Sequence, residues 1–334
     1  MANRLTLDVR EESFPYKQPF RISGHVFTTT NLVVVELSDG QHRGLGEAAG
    51  VYYQGDDVPA MLAAIESVRP AIEAGATRAE LQTLLPPGGA RNALDCACWD
   101  LEAKQQGQPV WQLAGLSRPK ALRTTITLGA DAPDVMAAAA RALEGVVALK
   151  LKLTGELDLD IARVVAVREA RADCWIGVDA NQGFAAADLP ALANVLVQQD
   201  IRLLEQPVAR GREADLEGVV RPLPFAADES CLSLAEMDRL PGRFDVVNIK
   251  LDKCGGLTEG LAMARRAQEM GLDVMVGNMM GTSLSMAPSF VLGQLCDIVD
   301  LDGPTFLAAD RTPGVEYRGG QIWCPDAVWG SGGA

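Results

Sequence analysis

The residues Val147–Leu153 read Val-Ala-Leu-Lys-Leu-Lys-Leu, an apolar run interrupted by Lys150 and Lys152. On a strand, residues at i and i+2 point to one face, so both ammonium groups share a side. Lysine is seldom fully buried unless it is paired. Charged candidates follow, each at the end of a short apolar run: Asp179 in Gly-Val-Asp-Ala-Asn, Glu205 in Leu-Leu-Glu-Gln-Pro, Asp228 in Ala-Ala-Asp-Glu-Ser and Lys250 in Val-Asn-Ile-Lys. Three carboxylates closing three successive strands repel one another unless a cation sits among them. With neither histidine nor cysteine in the set, a hard ion is favoured, and Mg²⁺ suits a site that leaves positions for water and substrate. The plainer alternative makes each acid a salt-bridge partner or a helix cap. That alternative suffices for one acid alone, but is weaker for three in succession beside inward lysines.

The lysines then read as electrostatic and proton-transfer groups. A lysine base working near neutral pH must drop about 3 units from roughly 10.4, about 4 kcal/mol. A neighbouring lysine, a nearby divalent ion and partial burial all push that way. Lys250 follows Val-Val-Asn-Ile, a run that reads as a buried strand, so it and Lys253 are poorly described as solvated loop charges. The only histidines, His25 and His42, lie near the N-terminus, which leaves Lys, Asp, Glu, Tyr or Cys as later bases.

Composition excludes several other functions. The formal net charge of −14 opposes a nucleic-acid surface and docking on anionic lipid. No apolar run approaches the roughly 20 residues of a membrane span. Met1–Arg10 alternates and carries charge, unlike a signal peptide. Seven cysteines without a disulfide-like pattern point to a reducing cytoplasm, and Cys96 and Cys98 lack the partners of a zinc set.

Residues 1–50 predict an antiparallel sheet, with strands over Arg4–Arg10 and Leu32–Leu37 and a polar, aromatic loop over Pro15–Thr30. Gly44-Leu-Gly46-Glu-Ala-Ala-Gly50 has the look of a dinucleotide loop, but its third glycine is displaced and no βαβ unit follows, so a strand running into a loop is the better reading. Residues 58–115 predict helices, broken at Pro86-Pro87-Gly88-Gly89. The helix from Ala90 to Gln105 carries small residues for close packing, with Asp95 and Asp100 pairing with Arg91 and Lys104 or capping.

From about Ala121 strands alternate with helices. The strands are expected at Thr124–Leu128, Val146–Leu153, Cys174–Val178, Ile201–Glu205, Pro224–Ala227, Val246–Ile249, Asp273–Val276 and Ile298–Leu301. Helices are expected at Asp158–Ala172, Leu189–Gln199, Leu232–Leu240 and Leu257–Met270. Eight such strands describe a parallel α/β barrel, whose active sites lie at the C-terminal strand ends. The last helix looks missing or replaced. Residues after about Thr305 are expected to return to the N-terminal domain, and Gly330–Ala334 to be a disordered tail.

Taken in order, these residues resemble the enolase superfamily and its muconate-lactonising subgroup. Lys-x-Lys on the second strand, Asp, Glu and Asp on the next three and Lys on the sixth form that signature. Ala-Arg-Asn-Ala-Leu-Asp-Cys-Ala (90–97), Ala-Asp-Glu-Ser-Cys (227–231), Asn-Ile-Lys-Leu-Asp-Lys-Cys-Gly-Gly-Leu-Thr-Glu (248–259) and Asp-Leu-Asp-Gly-Pro-Thr (300–305) are similar to the dipeptide epimerases. The resemblance implies a (β/α)7β modified TIM barrel at 121–305, and an N-terminal α+β capping domain at 1–120 joined by segment 306–330. It implies one Mg²⁺ on Asp179, Glu205 and Asp228, with Lys150 holding the substrate carboxylate. Lys152 and Lys250 are the implied proton carriers, working through a metal-stabilised enediolate. Asp300 and Asp302 are the implied holders of the dipeptide ammonium, and Asn181 and Asn248 support the metal ligands.

In members acting on Ala-Glu an arginine of the N-terminal loop holds the glutamate side chain. Here that position falls at or near Gly24, with Arg21 and His25 as neighbouring candidates. The alternatives on the same site are an N-acyl amino acid racemase, a muconate cycloisomerase or o-succinylbenzoate-type dehydratase, and a non-catalytic binding protein. The intact lysines and carboxylates oppose the last. Superfamily members are often homo-oligomers.

Overall fold

A computed structural model describes residues 4–22 and 25–332 of the chain. Strands β1 (Thr6–Ile22) and β2 (His25–Ser38) form an antiparallel hairpin, and β3 (Arg43–Ala48) pairs with β2. The stretch expected to be a loop over Pro15–Thr30 is therefore mostly strand, with Phe14 opposite Thr30 and a register shift between Pro15 and Phe20. The β-branched and aromatic run from Val26 to Thr30 favours extended chain, and the irregularity falls beside Pro15 and Pro19, which donate no ladder hydrogen bonds.

Helices α1 (Val58–Glu73), α2 (Arg78–Leu84), α3 (Gly89–Gln106) and α4 (Val110–Leu113) follow. Asp57 caps α1, and Thr77 with Glu80 forms a capping box on α2. Strand β3 lies directly on α3: a Cβ at Gly44 or Gly46 would come within 2.1 Å of Ala97 O or 2.0 Å of Ala93 O. The Gly-x-Gly pair is thus a helix-packing device. Asp100 pairs with Lys104 at 2.8 Å, as its spacing predicts. Asp95 does not pair with Arg91. It accepts from the Thr258 amide, while Arg91 meets Glu259.

After a short strand β4 (Leu122–Arg123), eight parallel strands run in sequence order. They are β5 (Ile126–Leu128), β6 (Ala148–Lys152), β7 (Trp175–Asp179), β8 (Leu204–Glu205), β9 (Phe225–Ala227), β10 (Val246–Ile249), β11 (Asp273–Val276) and β12 (Ile298–Val299). The Thr125 amide donates to Val299 O at 3.1 Å, bringing the first and last strands together. Helices α5 (Pro133–Ala142), α6 (Leu157–Ala170), α7 (Leu189–Gln198), α8 (Leu251–Cys254), α9 (Leu257–Glu269) and α10 (Ser283–Gly293) lie between strands. The segment expected as a helix at Leu232–Leu240 is a 3-10 turn, Leu234–Arg239. This is a (β/α)7β modified TIM barrel with an N-terminal α+β cap.

Beyond the barrel, β13 (Glu316–Arg318) and β14 (Gln321–Trp323) form a small sheet with β4. Arg311 reaches the cap, meeting Glu12 at 2.8 Å and Glu47 at 2.7 Å. The expected disordered tail is instead packed through Gly332: the Gly330 amide donates to Asp100 Oδ1 at 2.9 Å, and Gly330 O accepts from Val110. Trp329 anchors it, with its indole N–H on Leu45 O at 2.8 Å. Burying that large ring holds the glycines that follow.

Candidate active site

Register along the barrel sets the site. Lys152 lies opposite Asp179 between β6 and β7, and Asp179 opposite Glu205 between β7 and β8. Lys150, two residues back on β6, projects to the same interior. Its Nζ lies 2.8 Å from Glu205 Oε2, 2.9 Å from Asp300 Oδ2 and 3.1 Å from Asp179 Oδ2. Lys152 Nζ donates to Asp179 Oδ2 at 2.7 Å, and Lys250 Nζ, just past β10, to Asp228 Oδ2 at 2.6 Å. Asp179, Glu205 and Asp228 are buried, with one carboxylate oxygen of each lying within 4.8 Å of the others.

The trio has an unusual electrostatic balance. Burial pushes Asp179 up, yet Lys150 and Lys152 outweigh it and hold the acid at about 2. Burial works against Asp228 too, and Lys250 and Lys253 pull it far below the carboxylate range. Glu205 goes the other way: burial, then the Asp179 charge, lift it to about 7. Lys250 is shifted opposite to the direction its sequence setting predicts. Burial is the largest single effect and favours loss of its proton, but the carboxylates around it, Asp228 first and then Glu205, together outweigh burial and raise it; on Lys150 Asp179, Asp300 and Glu205 together do the same.

Supporting groups surround the trio. Asn248 donates to Glu205 Oε1 at 2.8 Å, and the Asn181 amide to Asp179 Oδ1 at 3.0 Å. Among the described residues Glu205 Oε2, Asn181 Oδ1 and Asn248 Oδ1 are buried without a hydrogen-bond partner; Glu205 Oε2 is near Lys150 Nζ but outside hydrogen-bonding alignment. Leaving a buried polar atom unpaired costs about 1–3 kcal/mol. Oxygen donors with spare capacity around three carboxylates fit a hard divalent ion.

Asp300 and Asp302 reach the same cavity, of about 240 Å³. Asp300 Oδ1 accepts from Thr125 Oγ1 at 2.5 Å, and Asp302 Oδ2 from the Thr127 amide at 2.6 Å. Asp302 heads the 3-10 turn Gly303–Phe306 without capping it through its side chain. Burial, then the Asp300 charge, raise it to about 7. The cap closes the cavity with Tyr16, Phe27, Tyr52 and Tyr53. The Arg21 backbone pairs with Val26 in the hairpin, but its side chain and that of His25 lie outside the described residues, as does Gly24.

Three residues given no role in the site by the sequence contribute to it, Lys253 among them although its burial was expected. Lys253 Nζ donates to Asp228 Oδ1 at 2.5 Å and to Asp228 O at 2.6 Å. The i, i+3 spacing from Lys250 was the available signal. Gln206 Oε1 accepts the Asp228 and Ser230 amides at 2.9 and 3.0 Å, fixing the end of the next strand. Glu229 is buried in the cavity wall with Oε2 unpartnered among the described residues; burial, then the Asp228 charge, lift it to about 7. With all groups ionised, six carboxylates (Asp179, Glu205, Asp228, Glu229, Asp300, Asp302) face four ammonium groups (Lys150, Lys152, Lys250, Lys253). The excess of two negative charges is what one divalent cation neutralises.

A barrel with acids on its third to fifth strands and lysines on its second and sixth defines a class. Residues 4–115 match the family model of the mandelate racemase / muconate lactonizing enzyme N-terminal domain, and residues 134–331 that of the enolase C-terminal domain-like family. The L-Ala-D/L-Glu epimerase of Escherichia coli is 40% identical over 95% of this chain and 99% of its own. An N-acetyl-D-glutamate racemase from Pseudoalteromonas is 41% identical over 75% of this chain and 79% of its own. The dipeptide epimerase of Methylococcus capsulatus, complexed with Mg and L-Arg-D-Lys, superposes with a TM-score of 0.90 at 30% identity, covering 96% of each chain. The chain belongs to the enolase superfamily and, within it, to the dipeptide epimerases.

Proposed function

We propose that this enzyme is a Mg²⁺-dependent epimerase that inverts the α-carbon of the C-terminal residue of a dipeptide, L-Ala-D/L-Glu or a related one. The observation that carries the reading is the placement of Lys152 and Lys250. Their ammonium groups lie on the two outer acids of the trio, Asp179 and Asp228, and line one cavity. A substrate carbon between them loses a proton to one lysine and regains one from the other on the opposite face. Lys250 acts as a base only when the carboxylates beside it, Asp228 first, are neutralised, because they hold its proton on.

Asp179, Glu205 and Asp228 would hold the ion. When bound, Mg²⁺ supplies Lewis-acid stabilisation of the charge developing on the substrate carboxylate, worth several kcal/mol. Lys150 neutralises the same carboxylate, and Asn248 and the Asn181 amide orient Glu205 and Asp179. Asp300 and Asp302 receive the ammonium of the N-terminal residue. Arg21 is the candidate to meet the substrate side chain.

The experiment is incubation of a dipeptide library with Mg²⁺ in D₂O, reading α-deuterium by mass spectrometry. Deuterium in dipeptides supports the reading. Turnover restricted to an N-acyl amino acid or a muconate refutes it in favour of the second reading, an N-acyl amino acid racemase or cycloisomerase on the same site. The 41% identity to an N-acetyl-D-glutamate racemase favours that second reading. Asp300 and Asp302 oppose it, since they would repel an anionic substrate that brings no ammonium. The same proposal divides the chain into a cap of residues 1–120 with 306–330 and a barrel of 121–305. It also includes a small-molecule substrate rather than nucleic acid or membrane, a homo-oligomer, and a cytoplasmic location supported by seven free cysteines.

A further inference from the structure

Two residues after Lys250, Asp252 turns away from the cavity into the cap. Its carboxylate is buried, and one oxygen, Oδ1, accepts the amides of Ala49 and Gly50 at 2.9 and 3.0 Å. A single barrel acid thus receives two consecutive cap amides. The segment it holds cannot relax elsewhere. Gly50 has φ +72, and a Cβ there would lie 2.0 Å from Asp56 O. Asp56 in turn accepts the amides of Val51 at 3.3 Å and Gly89 at 2.7 Å. The next residues form the 3-10 turn Tyr52–Gln54. Its two rings stack edge-on, 5.2 Å apart, and Phe27 meets Tyr52 at 5.5 Å. Ala49, Gly50, Tyr52 and Tyr53 line the same cavity as Lys250, and the buried Tyr53 hydroxyl has no hydrogen-bond partner among the described residues.

We propose that Asp252 is a positioning residue: by holding the Ala49–Gly50 backbone it sets the Tyr52–Tyr53 turn as the roof over the substrate, at a fixed height above Lys250. It touches no substrate and moves no proton. Its effect falls on substrate binding, because a hydrogen-bonding roof must be pre-placed to contribute affinity. The inference rests on the epimerase reading only for the choice of substrate.

The test uses the full chain with Asp252→Leu, which removes the acceptor at similar volume, and Asp252→Asn, which keeps a weaker one. Amide hydrogen exchange over Ala49–Gln54 needs no substrate, and steady-state epimerisation gives KM and kcat separately. Asp252→Leu is expected to raise exchange at Ala49 and Gly50 tenfold or more and KM tenfold or more, with kcat within threefold. Asp252→Asn should give a two- to fivefold change in both. Unchanged amide protection in either folded variant overturns the proposal, as does loosened protection with unchanged KM, or a kcat loss with KM intact. If the leucine variant fails to fold, the asparagine variant decides alone on the same criteria. A wild-type enzyme inert toward every dipeptide sinks the epimerase reading instead, and the pinning is then judged on the amides.

Discussion

Lys250 and Lys253 grip opposite oxygens of one carboxylate. Lys250 Nζ lies 2.6 Å from Asp228 Oδ2 and Lys253 Nζ 2.5 Å from Oδ1, while Lys253 also donates to Asp228 O and to Asn248 O. The strand end after β9 is therefore tied to the strand end after β10 by a buried cation with every donor used. Among the described residues Lys250 has one acceptor atom and faces the cavity, while Lys253 has three, on Asp228 and Asn248, and is sealed behind the acid. The geometry separates a lysine free to change partners from one that cannot.

Removing the sealed lysine should therefore register in stability first. Breaking a buried ion pair from one side costs about 3–5 kcal/mol, because the remaining charge stays buried. Lys253→Met should lower the unfolding free energy by about that much in urea titrations of metal-free protein. A loss below about 1 kcal/mol, within the range of exposed pairs, would contradict the assignment.

The two cavity lysines make a different prediction. Lys152→Ala and Lys250→Ala should each abolish net epimerisation, since each removes one face of the proton transfer. General acid–base groups contribute about 10²–10⁴-fold. In D₂O, each variant should still exchange the α-proton of one antipode, with opposite antipodes for the two variants. Full epimerisation by either variant would refute the two-base assignment.

The carboxylate trio predicts linkage between ion and fold. An ion bound only by the folded state stabilises it by about 2.7 kcal/mol at one hundred times its Kd. Mg²⁺ should raise the melting temperature of the wild-type enzyme in a concentration-dependent way. Glu205→Gln should weaken that response strongly, because it removes a ligand charge and alters the acceptor held by Asn248. Calorimetric titration of both proteins with Mg²⁺ alone measures this without turnover, and equal affinities would remove Glu205 from the ligand set.

Much of this site was legible because its residues stand at strand ends. A lysine pair at i, i+2 in an apolar run, or an acid closing one, is a local pattern, and Val246–Ile249 and Asp273–Val276 appear in the structure with the bounds their composition predicts. What escaped depended on partners far away in sequence. Arg91 chose Glu259 over Asp95 because the barrel helix α9 packs across α3. The hairpin arm through Pro15–Thr30 looked like a loop because its prolines and polar residues hide an extended register fixed by the facing strand. Asp252 and Gln206 look like ordinary polar residues until the backbone amides they receive are known.

Asp302 gives the pH prediction with the clearest sign. Burial and the neighbouring Asp300 lift it from an ordinary 3.8 to about 7. A carboxyl whose folded value is raised holds its proton longer in the folded state than in the unfolded state. Its contribution to stability is therefore neutral below about 4, grows increasingly unfavourable as pH rises toward 7, and levels off above that. Asp302→Asn should remove this slope, so the variant gains on wild type in metal-free denaturation between those limits. Function should run the other way. The ionised form is the one that attracts an ammonium group, so the wild-type KM for a dipeptide should fall as pH climbs through about 7. Asp302→Asn should flatten that fall and raise KM above pH 7, while leaving the KM of an N-acyl amino acid without the same dependence. A dipeptide KM that keeps its wild-type pH profile in the asparagine variant would show that Asp302 does not receive the ammonium.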